Sequence, residues 1–138
     1  MKYFYVTACA LLFVTGLMSC RKDDDLSLSP LLGTWEEVAQ TGVNGTITYR
    51  PGEGFRLKMY KDYTYFMHTG GIADVTGTFK LATVDVSETA TVKVIDWSSG
   101  ASNSYTFIRD TLVLKPFSRY PTNIDDEIWE MKYVRRAN

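Results

Sequence analysis

Apolar and polar residues alternate along most of the chain after its first thirty residues. In the segment 55–60, Phe55, Leu57 and Met59 alternate with polar or amphipathic neighbours. The same alternation recurs in segments 63–68, 75–84, 89–97, 104–109, 111–115 and 128–135. A period of two is typical of β-strands with one buried face, and no stretch shows a comparable helical period. The pattern therefore predicts an all-β domain.

Short turns join these predicted strands. Lys61-Asp62, Gly70-Gly71, Ser98-Ser99-Gly100 and Asp110 interrupt the alternation at close spacing. About eight strands in this order predict an up-and-down antiparallel meander, which is most stable when it closes into a barrel without a free edge. A sandwich of two sheets is the alternative. Segment 115–127 contains two prolines and three consecutive acidic residues, which predict a longer loop and leave the strand count there open.

The first residues have the pattern of an export signal. Lys2 precedes a mostly apolar run over residues 3–18, and the charged segment 21–25 follows soon after. The run is shorter than the roughly 20 apolar residues that a spanning helix needs. Residues 1–19 are therefore predicted to be a signal peptide.

The end of this leader carries a more specific motif. Leu17-Met18-Ser19-Cys20 resembles the bacterial lipobox, which implies cleavage before Cys20 and attachment of acyl groups such as palmitate to its sulfur. A bilayer is then the partner of the chain, through those acyl groups. The alternative is an ordinary signal peptide that happens to end at a cysteine. The other cysteine, Cys9, lies within the leader, so no disulfide is expected in the mature chain.

Residues 20–30 are mainly polar and are predicted to be a tether between the acyl groups and the folded domain. Lys22 followed by three aspartates resembles the export signal of Bacteroidota-type surface lipoproteins. This resemblance implies an outer-membrane lipoprotein exposed on the cell surface. The periplasmic face of the outer membrane is the alternative location.

Residues 31–138 resemble lipocalin-like domains at three points. Gly33 and Trp35 form the Gly-x-Trp motif of the opening strand, and segment 105–114 is similar to a late hairpin in which an acidic turn residue precedes an apolar strand. The resemblance implies a lipocalin-like barrel in which a late basic residue, Arg135 or Arg136, packs on Trp35 and closes one end. A cation above an indole ring is a favourable arrangement.

Aromatic residues make up 14% of the chain, which is compatible with an apolar ligand cavity. Filling of a solid core is the alternative. If a cavity exists, the lipocalin resemblance and strand parity nominate its wall residues, which are Trp35, Phe55, Leu57, Tyr65, Phe79 and Tyr105.

The sequence lacks the combinations of residues that common active sites use. His68 is the sole histidine, and the mature chain has no free thiol. The acidic residues 125–127 do not have EF-hand spacing, so a solvated loop is expected there. We therefore expect no enzyme, metal or cofactor.

A formal net charge of −1 also argues against a nucleic-acid partner. Two functions remain, and they belong to different classes. The first is binding of a small apolar or amphipathic ligand by the barrel. The second is an envelope interaction module with a solid core, whose protein partner the sequence does not identify.

Overall fold

The computed structural model describes residues 26–119 and 128–137. The predicted signal peptide, Cys20, the charged part of the tether and the acidic residues 125–127 lie outside these ranges. No helix in the described ranges is long and apolar enough to cross a membrane.

Nine strands form one antiparallel sheet. They are β1 (Gly33–Gly42), β2 (Gly45–Thr48), β3 (Arg56–Met59), β4 (Thr64–His68), β5 (Val75–Ser87), β6 (Ala90–Trp97), β7 (Ser102–Ile108), β8 (Thr111–Pro116) and β9 (Ile128–Arg136). A single 3₁₀ turn, Ser29–Leu31, precedes β1, and the described residues contain no α-helix. The all-β prediction is confirmed.

The sheet closes on itself because β1 pairs with both β3 and β9. Eight strands, β1 and β3 to β9, therefore make a closed barrel, as the strand pattern predicted, and the two-sheet sandwich is excluded. The ninth strand, β2, adds to the upper part of β1. It was not predicted, because its four residues are all exposed and show no buried face.

Strands β2 and β3 lie one after the other along the same edge of β1. Ala39 pairs with Thr48 of β2, and Glu36 pairs with Arg56 of β3. The loop 49–55 leaves the sheet between them. Two backbone hydrogen bonds hold its ends, from Tyr49 N to Val38 O at 2.9 Å and from Glu37 N to Phe55 O at 2.8 Å.

The register defines two ends of the barrel. The tether end carries the 3₁₀ turn and the connections 60–63, 88–89 and 109–110, since Gly33 pairs with Met59 and Thr34 with Arg136. The distal end carries the connections 43–44, 69–74 and 98–101. Leu31 is fully buried at the tether end, and Leu28 packs against the same cluster. The predicted boundary between tether and barrel, after residue 30, falls inside the 3₁₀ turn. In the structure Leu28 and the whole turn belong to the packed end of the barrel.

Inward-facing side chains from all eight barrel strands fill the interior. The rings of Tyr65 and Trp97 meet edge to face with their centres 4.9 Å apart. Burial of each large apolar side chain contributes about 1.5–3 kcal/mol. The buried apolar residues of the cluster are Leu31, Trp35, Leu57, Met59, Tyr65, Phe79, Ile95, Trp97, Tyr105, Leu112, Leu114 and Tyr133.

Gly54 lies where the loop 49–55 presses on β1, and a Cβ atom there would overlap the Glu37 carbonyl. We expect Gly54→Ala to lower the free energy of unfolding by about 1–3 kcal/mol, because two backbone segments must separate. Urea denaturation measures this. Gly45→Ala is the comparison: it meets no atom within 4 Å, so its loss reports only the strain of a φ of +99°. A Gly54→Ala protein as stable as the wild type would contradict the close contact.

Candidate functional site

Trp35 and Arg135 lie together at the tether end. The Arg135 guanidinium carbon is 4.4 Å from the centre of the Trp35 ring. The indole Nε1 of Trp35 donates to the Leu31 carbonyl at 2.8 Å. Arg135 also donates to the carbonyls of Leu32 at 2.5 Å and Pro30 at 2.6 Å. The last strand is thus tied to the segment that enters the first strand.

Gly33 makes this arrangement possible. Its φ of +114° lies in a region that favours glycine, and a Cβ atom would come within 3.1 Å of the Arg135 side chain. These two local constraints explain why glycine occupies the first position of the Gly-x-Trp motif. It lets the chain turn from the 3₁₀ turn into β1 beneath the Arg135 side chain.

The six residues nominated for a cavity wall occupy three different places. Trp35, Leu57, Tyr65 and Phe79 pack in the core cluster, with Phe79 also bordering a shallow surface hollow beside Trp97. Phe55 lies at the end of the loop 49–55, where its ring is 6.3 Å from that of Tyr49. Tyr105 also belongs to the core cluster and borders a half-open pocket in the barrel wall, whose volume of about 530 Å³ is close to the 520 Å³ of the hollow beside Trp97.

This pocket, which we call the seam pocket, lies where β6 and β7 separate. The two strands pair only between Val94–Ser104 and Asp96–Ser102. Toward the tether end they diverge, and a volume of about 530 Å³ opens between them. Its lining comprises Ser27, Pro30, Thr91, Val92, Lys93, Ser104, Tyr105, Thr106, Phe107, Val113 and Lys115.

The chemistry of the seam pocket is mixed. Val92, Phe107 and Val113 supply apolar surface, and burial raises the pKa of the Tyr105 hydroxyl above its ordinary value. Two lysines border the pocket. Lys115 pairs with Glu130 at 3.1 Å, whereas Lys93 forms no ion pair with any residue in the described ranges. The pocket therefore offers apolar walls and one uncompensated positive charge.

A second polar feature lies inside the barrel. Glu37 is completely buried, and its two carboxylate oxygens have no hydrogen-bond partner among residues 26–119 and 128–137. Burial raises the pKa of Glu37 from 4.5 to about 7. The Gln40 amide lies near enough to lower this pKa slightly but does not reach hydrogen-bonding geometry.

The preceding residue has the opposite environment. Glu36 faces outward and is covered by a hydrogen-bonded ion pair with Arg136 Nε and by the backbone N–H of Gly52. The hydrogen bond from Arg136 is the main reason that the pKa of Glu36 lies below its ordinary value. Sequence reasoning singled out neither glutamate. The available signal was two consecutive glutamates after Trp35, of which strand alternation sends one inward.

The remaining polar groups are at the surface. His68 Nδ1 is 2.6 Å from Asp74 Oδ1, and both side chains are about half exposed. Asp96 pairs with Arg119 at 2.7 Å and accepts a hydrogen bond from Ser102 at 2.6 Å. Within the described ranges no three histidine, cysteine or acidic residues form a group that would hold a metal ion.

No protein-family model matches this sequence, and a search of curated proteins finds no significant match.

Arg135→Lys keeps the charge but loses the planar fork that contacts two carbonyls and the Trp35 ring. We expect a loss of about 1–2 kcal/mol in the free energy of unfolding, measured by urea denaturation. Arg50→Lys in the exposed loop is the control and should change stability by less than about 0.5 kcal/mol. An Arg135→Lys protein as stable as the control would show that the fork contributes little.

Glu37 should make the barrel less stable as the pH rises. Its folded pKa of about 7 exceeds the unfolded value of 4.5, so ionisation costs stability between these two pH values. We expect the free energy of unfolding to fall by up to about 3 kcal/mol from pH 4.5 to pH 8. Urea denaturation across this range measures the slope.

Glu37→Gln should remove most of that slope. The control is Glu130→Gln, since Lys115 holds the pKa of Glu130 below its ordinary value and its contribution is lost only as the pH falls below 4.5. A wild-type slope that persists in Glu37→Gln would assign the effect to another group.

Proposed function

We propose that this chain is a membrane-anchored lipoprotein whose lipocalin-like barrel binds a small amphipathic ligand in the seam pocket. The observation that carries the proposal is a half-open volume of about 530 Å³ where the β6–β7 ladder stops toward the tether end. This volume lies within the range of small-molecule sites, roughly 300–1,000 Å³. The packed interior favours binding at this break over binding in the centre of the barrel.

The lining favours a ligand with an apolar chain and a negative head group. Val92, Phe107 and Val113 offer apolar contact. Lys93 offers a positive charge that no described carboxylate neutralises, and Ser104 and Thr106 add hydroxyl groups beside it. A carboxylate or phosphate head group next to Lys93 would gain a charge-assisted hydrogen bond.

The tether supports the link between pocket and membrane. Ser27 and Pro30 both line the seam pocket. Six residues separate Ser27 from Cys20, and an extended chain over these seven Cα–Cα steps spans at most about 25 Å. In this proposal the pocket opens close to the bilayer that holds the acyl groups, on the cell surface or on the periplasmic face of the outer membrane.

A second candidate function is an interaction module of the envelope. Its supporting observation is the exposure of aliphatic side chains at the distal end, where Val43, Ile47 and Ile72 are 58%, 59% and 73% exposed. Exposed apolar groups of this kind are common at sites of protein association. The filled interior is compatible with this function as well.

The ligand proposal is tested with dodecanoate and isothermal titration calorimetry on the full chain. We expect Lys93→Gln to weaken dodecanoate binding by about 5–20-fold, since it removes a charge-assisted contact worth roughly 1–2 kcal/mol. Lys61→Gln, in an exposed turn, is the charge-matched control and should leave the affinity unchanged. Absence of dodecanoate binding, or equal loss in both variants, would refute this ligand class at the seam.

The anchoring proposal is tested by metabolic labelling with radioactive palmitate. We expect Cys20→Ser to abolish labelling and release the protein from membranes, because it removes the sulfur that carries the acyl groups. Cys9→Ser is the matched control and should retain both properties, since Cys9 lies in the predicted leader. A Cys20→Ser protein that still partitions with membranes would exclude acyl anchoring through this residue.

A further inference from the structure

Glu37 points into the barrel. Trp35 occupies the same face of β1 two residues earlier and is packed in the core. Across the β1–β9 ladder Glu37 pairs with Tyr133, which is also an inward-facing core residue. The Glu37 carboxyl group is therefore enclosed by the barrel and completely shielded from solvent.

A buried carboxyl group without partners is rare, because nearly all buried polar groups in folded proteins form hydrogen bonds. The same strand shows how readily the fold satisfies a glutamate, since the adjacent Glu36 has both an arginine and a backbone amide. The nearby arginines of β9 are already engaged, Arg135 with Trp35 and Arg136 with Glu36. The Glu37 carboxyl group therefore has no cationic partner among the described residues.

Aromatic groups adjoin this carboxyl group. Tyr133 faces it from β9, and Tyr49 is anchored beside it by its backbone bond to Val38. The hydroxyl groups of both tyrosines are close enough for the Glu37 charge to raise their pKa values, which burial raises first. Phe55, bonded through its carbonyl to Glu37 N, packs against Tyr49.

A carboxylate among aromatic rings is suited to an ammonium ion, which gains an ion pair and attraction to the rings together. We propose that Glu37, with Tyr49 and Tyr133, forms a second binding site that takes a small organic amine in its protonated form. This site is independent of the seam pocket, which offers a lysine and therefore selects the opposite charge.

The distal rim provides a place for the apolar part of such a ligand. Ile47 shares a face with Gln40, which pairs with the inward-facing Met131. Val75 shares a face with Met67, another residue packed on the core. Although both share a face with packed residues, Ile47 is 59% and Val75 41% exposed, so their side chains are left uncovered at this end of the barrel.

The test compares octylammonium with octan-1-ol, which has the same chain but no charge, by isothermal titration calorimetry at pH 8 on the full chain. We expect octylammonium to bind at least tenfold more tightly than octanol. Glu37→Gln should reduce this preference to within about twofold, while Glu130→Gln, on the outer face of β9, preserves it. No preference in the wild-type protein, or a preference that survives Glu37→Gln, would overturn the proposal.

Two further measurements separate a binding role from a structural one. Saturation with octylammonium should lower the Glu37 pKa, read from its carboxyl ¹³C chemical shift, by at least one unit; an unchanged value would count against direct contact. Tyr49→Leu removes the ring beside Glu37 but keeps an apolar side chain, and we expect it to weaken octylammonium binding about 3–10-fold. Unaltered affinity would remove Tyr49 from the site.

The proposals for the two sites can be tested independently of each other. Lys93→Gln should leave octylammonium binding unchanged, and Glu37→Gln should leave dodecanoate binding unchanged. Loss of dodecanoate binding in the Glu37→Gln protein would mean that the two ligands share one site, which contradicts the inference drawn here.

Discussion

Pairing of the first barrel strand with the last is the interaction on which this structure depends. Strand β1 meets β9 along nearly its whole length, from Thr34–Arg136 to Gly42–Ile128. The pairing joins residues about a hundred positions apart, and such contacts form only after most of the chain has lost conformational freedom. The Arg135 side chain reinforces the closure, because it spans from β9 to the carbonyls that precede β1.

Strand β1 differs from the other barrel strands in having three partners. It pairs with β9 on one edge and with β3 and then β2 on the other. The ladder with β9 shifts register between Glu37 and Ala39, and the loop 49–55 leaves the opposite edge at the same level. The Glu37 side chain, whose carboxyl group has no hydrogen-bond partner among the described residues, therefore lies where the ladders on both sides of β1 are irregular.

Strand periodicity predicted the all-β class, the approximate strand number and the closed meander, because each depends on local alternation and short connections. It also nominated Leu57, Tyr65, Phe79 and Tyr105, which lie in the core cluster, and Phe55, which lies at the end of the loop 49–55. Parity gives the direction of a side chain but not the space around it, so it did not distinguish a packed core from a cavity wall. The Arg135 guanidinium lies over the Trp35 ring.

The seam pocket and the Glu37 environment were not visible in the sequence, because both depend on where two strands stop pairing. The pairs between β6 and β7 stop at Val94–Ser104, although β6 extends back to Ala90 and β7 continues to Ile108. The residue types at positions 91–93 do not indicate that the two strands diverge there. Likewise, the interruption between β2 and β3 depends on a loop whose ends bond to β1.

Both candidate sites thus share one structural origin. A closed barrel of this size has room for little besides its own side chains, and here the interior is filled. The two proposed sites lie where a hydrogen-bond ladder is interrupted: the seam pocket where β6 and β7 stop pairing, and Glu37 beside the gap between β2 and β3. The seam pocket has outward-facing Thr106 and inward-facing Tyr105 in one lining, which a continuous ladder would not permit. A barrel with a solid core can therefore still bind small molecules, provided that its strands separate at defined positions.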